Sequence, residues 1–374
     1  MKVSNEILNL VPYKPGKPIA ETQREYGIQE VIKLASNENS LGPSPKAIDA
    51  IRNHLSQLHR YPDPSFFDLI QVLARDWKVP KEYLSIGNGS NEIIDLLIRI
   101  FCEPKEAILT MQYCFVAYPV CAQAARVQVY YAKVNIEFEL DLQDLRSYLN
   151  QSEVKKIRLV FIPNPNNPTG VLTSSRELKK LVDEYSSNPN LLFIFDEAYF
   201  EFIREPDYQS AIGWVTENPQ IAVIRTLSKA YGLAGIRVGV LIAHPSVIDL
   251  YNRVRNPFNI NDLAQVAAVA ALQDKDFVKK SKEMVWEGLD YFYAELKKLG
   301  LNCIKSQGNF VLFDTQRDII KLNEMLLRKG LILRPVLNYG LKTQLRMSVG
   351  TMEENKKAIE ILKSVLNAAD TIEK

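Results

Sequence analysis

The chain has 374 residues, 47% apolar and 24% charged, and its 46 lysines and arginines against 44 aspartates and glutamates leave a formal charge of about +2. That length exceeds one small core and favours two units, while the near-neutral balance excludes the basic footprint of a nucleic-acid or anionic-membrane binder. With three histidines (His54, His59, His244) and four cysteines (Cys102, Cys114, Cys121, Cys303) at no metal-ligand spacing, no metal site and no Ser-His-Asp triad is expected, and the cysteines read as thiols of a reducing compartment.

The opening MKVSNEILNLVPYKPGKPIAE has neither a long apolar core nor a cleavage pattern. It reads as lacking a signal peptide, and no apolar stretch reaches membrane-spanning length, so a cytoplasmic protein is expected. Residues 1–45 are proline-punctuated (PYKPGKP, LGPSP) and weakly periodic, as in an extended arm. SFFDLIQVLARDW (65–77) has apolar residues at helical spacing, with Ser65 as the expected N-cap. YLSIGNGS predicts a strand entering a glycine turn, and SNEIIDLLIRIFC (90–102) a helix. AILTM (107–111) and VQVYYA (127–132) predict strands. RLVFIPN (158–164), LLFIFDE (191–197), IAVIRT (221–226) and RVGVLIA (237–243) are short apolar runs bounded by turns, the pattern of buried parallel strands. Among them SSRELKKLVDEYS carries a capping box at Ser174 and Glu177. Alternating strands and helices predict an α/β unit with a mostly parallel sheet.

After the alanine-rich helix NDLAQVAAVAAL (261–272) the texture changes. A charged amphipathic stretch (275–299), GNFVLF, a helical stretch to about 329, LILRPV, QLRMSVG and a last helix (353–368) predict a smaller α+β unit with an antiparallel sheet.

Three of the expected parallel strands end in polar residues. RLVFIPN runs into NPNNPTG (164–170), LLFIF into Asp196 with Tyr199 close behind, and IAVIRT into Ser228 and Lys229. Ligands of open α/β sheets lie outside the carboxyl ends of the strands, so an amide, a carboxylate with a phenol, and a lysine could converge there. Taken singly, Lys229 reads as a solvated lysine at a strand end, Asp196 as a cap or turn residue, and NPNNPTG as a tight proline turn.

Taken together, SNEN (36–39), NPNNPTG, DEAY (196–199), TLSKAYGLAGIRVG (226–239) and LRMSVGT (345–351) resemble the motif series of the fold type I, pyridoxal-phosphate-dependent aminotransferases. RYPD (60–63), PYKPGKP and GLILRPV…YGL are similar to the histidinol-phosphate aminotransferase family within that class. The resemblance spans essentially the whole chain. It implies an arm (1–45) packing on the small domain or a partner subunit, a large cofactor domain (46–272) and a small domain (273–374). It implies pyridoxal 5'-phosphate as cofactor, carried covalently on Lys229, which then serves as the proton-transfer base. Asp196 is expected to face the ring nitrogen, Tyr199 and Asn167 the ring's phenolic oxygen, and Phe115 the ring face. Ser90 and Asn91 at a helix N-terminus, with Ser228 and Arg237, are the expected phosphate cup. Arg346 and Arg334 are the expected substrate anion binders, and Tyr13, Asn37 and Tyr61 the expected further substrate contacts. Tyr61 is also expected to reach the cofactor phosphate of a second subunit, making a homodimer with shared sites.

The expected partners are therefore a small amino donor and a 2-oxo acid: L-histidinol phosphate and 2-oxoglutarate, giving imidazole acetol phosphate and L-glutamate. An aromatic amino-acid or prephenate-type aminotransferase, and a phosphothreonine decarboxylase, share the scaffold. Two departures stand out: Ser40, where the family often has proline, and Phe115, where some members have tyrosine. A nicotinamide dehydrogenase is disfavoured because GNGSNE (87–92) lacks the third glycine of its fingerprint. A non-catalytic regulator of this fold would carry an added DNA-binding domain, for which the chain has no room and no basic surplus.

Overall fold

The computed structural model describes residues 3–12 and 16–372. A short strand β1 (Ile32–Lys33) precedes seven strands of one sheet: β2 (Leu84–Gly87), β3 (Ala107–Met111), β4 (Gln128–Ala132), β5 (Ile157–Pro163), β6 (Leu192–Asp196), β7 (Ile221–Thr226) and β8 (Gly239–Ala243). Their spatial order is β2-β8-β7-β6-β5-β3-β4. Strands β3, β6, β7 and β8 are buried along their whole length, because helices cover both faces of the sheet. Side chains such as Phe193, Phe195, Ile224 and Leu241 therefore lose all contact with water, each worth about 1.5–3 kcal/mol of transfer free energy.

One expectation fails here. RVGVLIA was read as one more parallel strand, yet β8 pairs antiparallel with both β7 and β2. The reason lies in the link. The twelve residues 227–238 between β7 and β8 are the bare minimum for a parallel return, and they form turns, Gly232 donating to the Lys229 carbonyl and Leu233 to that of Leu227, rather than a crossover helix. The reversal has a consequence for the site. It brings the start of β8, with Arg237 just before it, to the edge where β7 ends, and Gly239 pairs with both Thr226 and Gly87.

The C-terminal part builds a second sheet from β9 (Asn302–Cys303), β10 (Phe310–Asp314), β12 (Arg334–Pro335) and β13 (Gln344–Ser348), in the antiparallel order β12-β13-β10-β9. Strand β11 (Leu331–Ile332) pairs instead with β1, parallel, joining the N-terminal segment to this part of the molecule. Farther upstream, Gln123 Nε2 donates to the carbonyl of Glu6 (2.8 Å), so the first described residues lie on the large α/β part of the same chain. The helix Lys275–Lys298 leads into the second sheet, and the helix Met352–Ile372 packs against that helix and against the helix Ile319–Arg328 rather than on the strands. No helix among the described residues is long and apolar enough to cross a membrane.

Local signals account for some helix starts. Ser174 Oγ accepts from the amide of Glu177 (3.5 Å), as the capping box predicts, and Asn261 caps Asp262–Gln273. Ser65 does not cap the helix beginning at Phe67. Its neighbour Asp63 takes that place, accepting from the Phe67 amide (2.8 Å), the Ser65 amide (2.9 Å) and Ser65 Oγ (2.7 Å). The reason is that Phe66 adopts a left-handed conformation (φ 54°), which starts the helix one residue later than a cap at Ser65 implied. Partial burial works against the Asp63 charge, but these donors outweigh it and hold its carboxyl below the usual range. Its contribution is therefore complete at neutral pH and is lost as pH falls through that lowered value. Asp63→Ala is expected to cost about 1 kcal/mol of stability and Ser65→Ala clearly less, read as midpoints of thermal unfolding at pH 7. Equal losses would return the cap to Ser65.

Candidate active site

The polar strand ends meet in one cavity of about 360 Å³ between the two sheets. Its lining includes Asn37, Ser90, Asn91, Phe115, Asn167, Asp196, Tyr199, Ser228, Lys229, Arg237, Arg334 and Arg346. Two residues expected at the site stand apart from this set. Tyr61 is 82% exposed and stacks on Phe258 (centroids 4.7 Å apart) outside the cavity. Tyr13 lies outside the described residues.

Asp196 closes β6 with its carboxylate buried. Tyr118 Oη donates to its Oδ2 (2.7 Å) and the Ala198 amide to its Oδ1 (3.1 Å). Burial pushes its pKa up to about 6. The two hydrogen bonds and the Lys229 charge work in the opposite sense, while neighbouring Glu197 adds to the rise. Tyr118 was missed by the sequence reading. Its signal was its place three residues after Phe115 in CFVAY, at the start of the helix Ala117–Ala124.

Lys229 lies just past β7, with its Nζ 3.4 Å from the carbonyl oxygen of Ser36. Desolvation first, then the positive fields of Arg346 and Arg237, bring its pKa down to about 8, against the pull of Glu38 and Asp196. About a tenth of it is thus neutral at pH 7, far more than of an exposed lysine.

Tyr199 Oη accepts from Asn37 Nδ2 (2.9 Å) and from Asn167 Nδ2 (3.2 Å). Burial pushes this phenol up to about 12, so it stays protonated. With two donors already on its oxygen, its own proton is directed to a third partner in the cavity. Asn37 is itself held through Ser348, whose Oγ donates to Asn37 Oδ1 (2.9 Å) and accepts from the Asn37 amide (2.8 Å). Arg346 NH1 donates to Asn167 Oδ1 (2.5 Å) and NH2 to the carbonyl of Ala35 (2.7 Å).

At another wall the helix Gly89–Phe101 begins, with the backbone of Ser90 and Asn91 at its first turn. Free N–H groups and the helix dipole there favour an anion. Arg237 NH1 lies 3.3 Å from Ser228 Oγ, completing a cluster of donors. Two glycines make the close approach possible. A Cβ on Gly89 (φ +74°) would meet Arg237 at 2.2 Å, and one on Gly239 would meet the Ser90 nitrogen at 2.6 Å. The set fits pyridoxal phosphate group by group: donors for the phosphate, a carboxylate for the ring nitrogen, a phenol for the ring oxygen and an amine for the aldehyde.

The model of the family "Aminotransferase class I and II" matches residues 29–362. A histidinol-phosphate aminotransferase of Bdellovibrio bacteriovorus is 53% identical over 366 residues, covering 98% of each chain. One from Anaeromyxobacter is 42% identical, covering 98% of this chain and 99% of its own. The solved structure of the Sinorhizobium meliloti histidinol-phosphate aminotransferase in complex with pyridoxal-5'-phosphate superposes with a TM-score of 0.87 over 98% of both chains, and at 24% identity that likeness speaks to the fold. The protein therefore belongs to the class I and II aminotransferases, a fold type I family, and within it to the histidinol-phosphate aminotransferases.

Proposed function

We propose that the protein moves the amino group of L-histidinol phosphate to 2-oxoglutarate, using pyridoxal phosphate carried on Lys229. One observation bears most of the weight. Arg334 and Arg346 are direct cross-strand partners on β12 and β13, and both line the cavity that holds Lys229. Like charges placed opposite each other in a sheet are destabilising. A pair kept in that register at a cavity suits an anionic substrate, either the phosphate of the donor or the carboxylates of the acceptor.

Pyridoxal phosphate supplies an electron sink conjugated to the substrate's α-carbon. The chain's own groups do the rest. Ser90, Asn91, Ser228 and Arg237 would hold the phosphate. Asp196, ionised above its pKa of about 6, would keep the ring nitrogen protonated. Tyr199 would donate to the ring oxygen, steadied by Asn37 and Asn167. Phe115 would cover the ring face. Lys229 Nζ, displaced from the cofactor by the donor's own amine, would take the proton from the donor's amine-bearing carbon. Arg346 and Arg334 orient the substrate's anionic group.

The exposure of Tyr61 supports a homodimer in which this phenol completes the partner's site. Leu55, Leu58, Tyr61 and Phe67 are exposed, as are Val254 and Phe258. The two segments are tied together by the Tyr61–Phe258 stack and by Arg255 NH2 donating to the Pro64 carbonyl (2.8 Å). A tyrosine that packs its ring and donates from its tip suits an interface next to a phosphate.

Three outcomes are expected. In a half-reaction screen, L-histidinol phosphate should discharge the visible band of the bound cofactor, with phenylalanine, tyrosine and phosphothreonine far behind. A stronger response to an aromatic amino acid would move the substrate assignment. Lys229→Ala should lose turnover by at least about 10²–10⁴-fold, and borohydride should fix the cofactor on Lys229 in the parent; a reduced adduct mapped to another lysine would remove its role. Finally, Lys229→Ala subunits mixed with Tyr61→Ala subunits, after dissociation and reassociation, should regain activity, because one site of each heterodimer is intact. Heterodimers as inactive as the separate variants would withdraw the shared site.

A further inference from the structure

Behind Asp196 lies a buried ion pair that the reaction does not directly use. Glu197 is 0% and Arg225 6% exposed at the side chain, with Arg225 NH2 2.8 Å from Glu197 Oε2. Arg225 Nε donates to the same oxygen (3.1 Å), and NH2 also donates to Ser210 Oγ (2.9 Å). Glu197 accepts further from Ser210 Oγ (2.7 Å), the Ala211 amide (2.8 Å) and Tyr208 Oη (3.2 Å). The guanidinium lies 3.7 Å from the centroid of Phe200 and 5.0 Å from that of Trp77. Such a pair costs heavily to desolvate and is weak evidence for stability alone.

Its location gives it another meaning. Glu197 follows Asp196 directly, and its amide donates to the Ile224 carbonyl (2.9 Å), extending the β6–β7 ladder. Arg225 is four residues before Lys229. The pair thus fastens the end that carries Asp196 to the end that carries Lys229. It also sets the charge there. Glu197 raises the proton affinity of Asp196, and Arg225 is the cation hydrogen-bonded to it.

We propose that Arg225 is a positioning residue that keeps Asp196 ionised by cancelling the field of Glu197, the acid it holds beside it. The proposal rests on Asp196 serving the ring nitrogen. The groups facing Asp196 are Tyr118, Tyr199 and Lys229. Those facing the pair are Tyr208, Tyr231 and Glu201, with Lys282 and Asp76 beyond them. Burial pushes Glu201 up to about 7, so it is only partly ionised at neutrality and loses its charge below it.

The sign of the effect distinguishes this role from a merely structural one. Arg225→Gln leaves Glu197 uncancelled, which raises the pKa of Asp196 and moves the acid limb of kcat/KM to higher pH. Glu197→Gln removes the negative field and moves that limb to lower pH. Each shift is expected to be about one pH unit. The pH titration of the bound cofactor's visible band should move with it, while both variants lower the thermal midpoint of the apoprotein. Arg225→Lys, which keeps the charge and loses the fork, should lower that midpoint and leave the limb in place. Shifts of the same sign, or none, would overturn the proposal. If Arg225→Gln does not fold, an unmoved titration in Glu197→Gln overturns it alone. Asp196→Asn serves as the control. A cofactor band that titrates in this variant as in the parent would refute the assignment of Asp196 itself, separately from its coupling to the pair.

Discussion

The cost of holding charge away from water organises this molecule. A lysine in the open would be protonated at any physiological pH, and only a desolvated one presents a neutral amine. Lys229 meets that condition because it leaves a fully buried strand directly into the cavity. Arg346 and Arg237 then act on it from different elements, one from the small sheet and one from the turn before β8. Asp196 and Glu38 pull in the opposite sense, so the result is a moderate shift to about 8 rather than an amine that can never hold a proton. A base that must take up a proton and release it needs that middle ground.

The segment Leu34–Asn37 shows how two sheets become one site. Its backbone is fixed to the small sheet: the Ser348 amide donates to the Leu34 carbonyl (2.8 Å), and Arg346 NH2 to that of Ala35. Its next groups serve the large sheet, with the Ser36 carbonyl facing Lys229 Nζ and Asn37 reaching Tyr199. Asn309 Nδ2 holds the Asn37 carbonyl from a third side (3.1 Å). Asn37 has a left-handed backbone (φ 54°), a conformation asparagine tolerates better than most residues. A short stretch of the proline-rich opening therefore carries the geometry between the sheets.

Much of this was legible in the sequence, and the exceptions have physical causes. The strand ends of NPNNPTG, Asp196 and Lys229 could be found because apolar runs that stop at polar residues mark the carboxyl edge of a sheet. The direction of β8 was not read from its composition, since a buried strand looks alike either way; the short link from β7 held that information. Tyr118 and the Glu197–Arg225 pair were missed because each member looks ordinary by itself: a tyrosine in an apolar helix, an acid in a turn, an arginine in a strand. Only packing reveals that their polar ends share a small volume. Asp63 displaced Ser65 as cap because the backbone at Phe66 departs from the helical path, which residue spacing does not encode. Tyr61 carries no signal within one chain, since the structure leaves its ring exposed.

Asp196 and Glu197 are adjacent acids with different fates. Both are buried, and the extended backbone turns their side chains to opposite sides of the sheet edge. Glu197 meets a guanidinium fork and is balanced in charge as well as in hydrogen bonds. Asp196 meets a phenol and an amide, which satisfy its lone pairs but bring no full positive charge. Neutral donors hold a carboxylate in place without cancelling its field, and here they do not offset the rise in pKa that burial causes. A buried anion of this kind favours any cationic group placed beside it, and the cavity is what it faces. The same dipeptide thus anchors the fold with one carboxylate and leaves the other electrostatically unsatisfied, so an Asp196–Glu197 exchange of roles is barred by the direction in which each side chain leaves the strand.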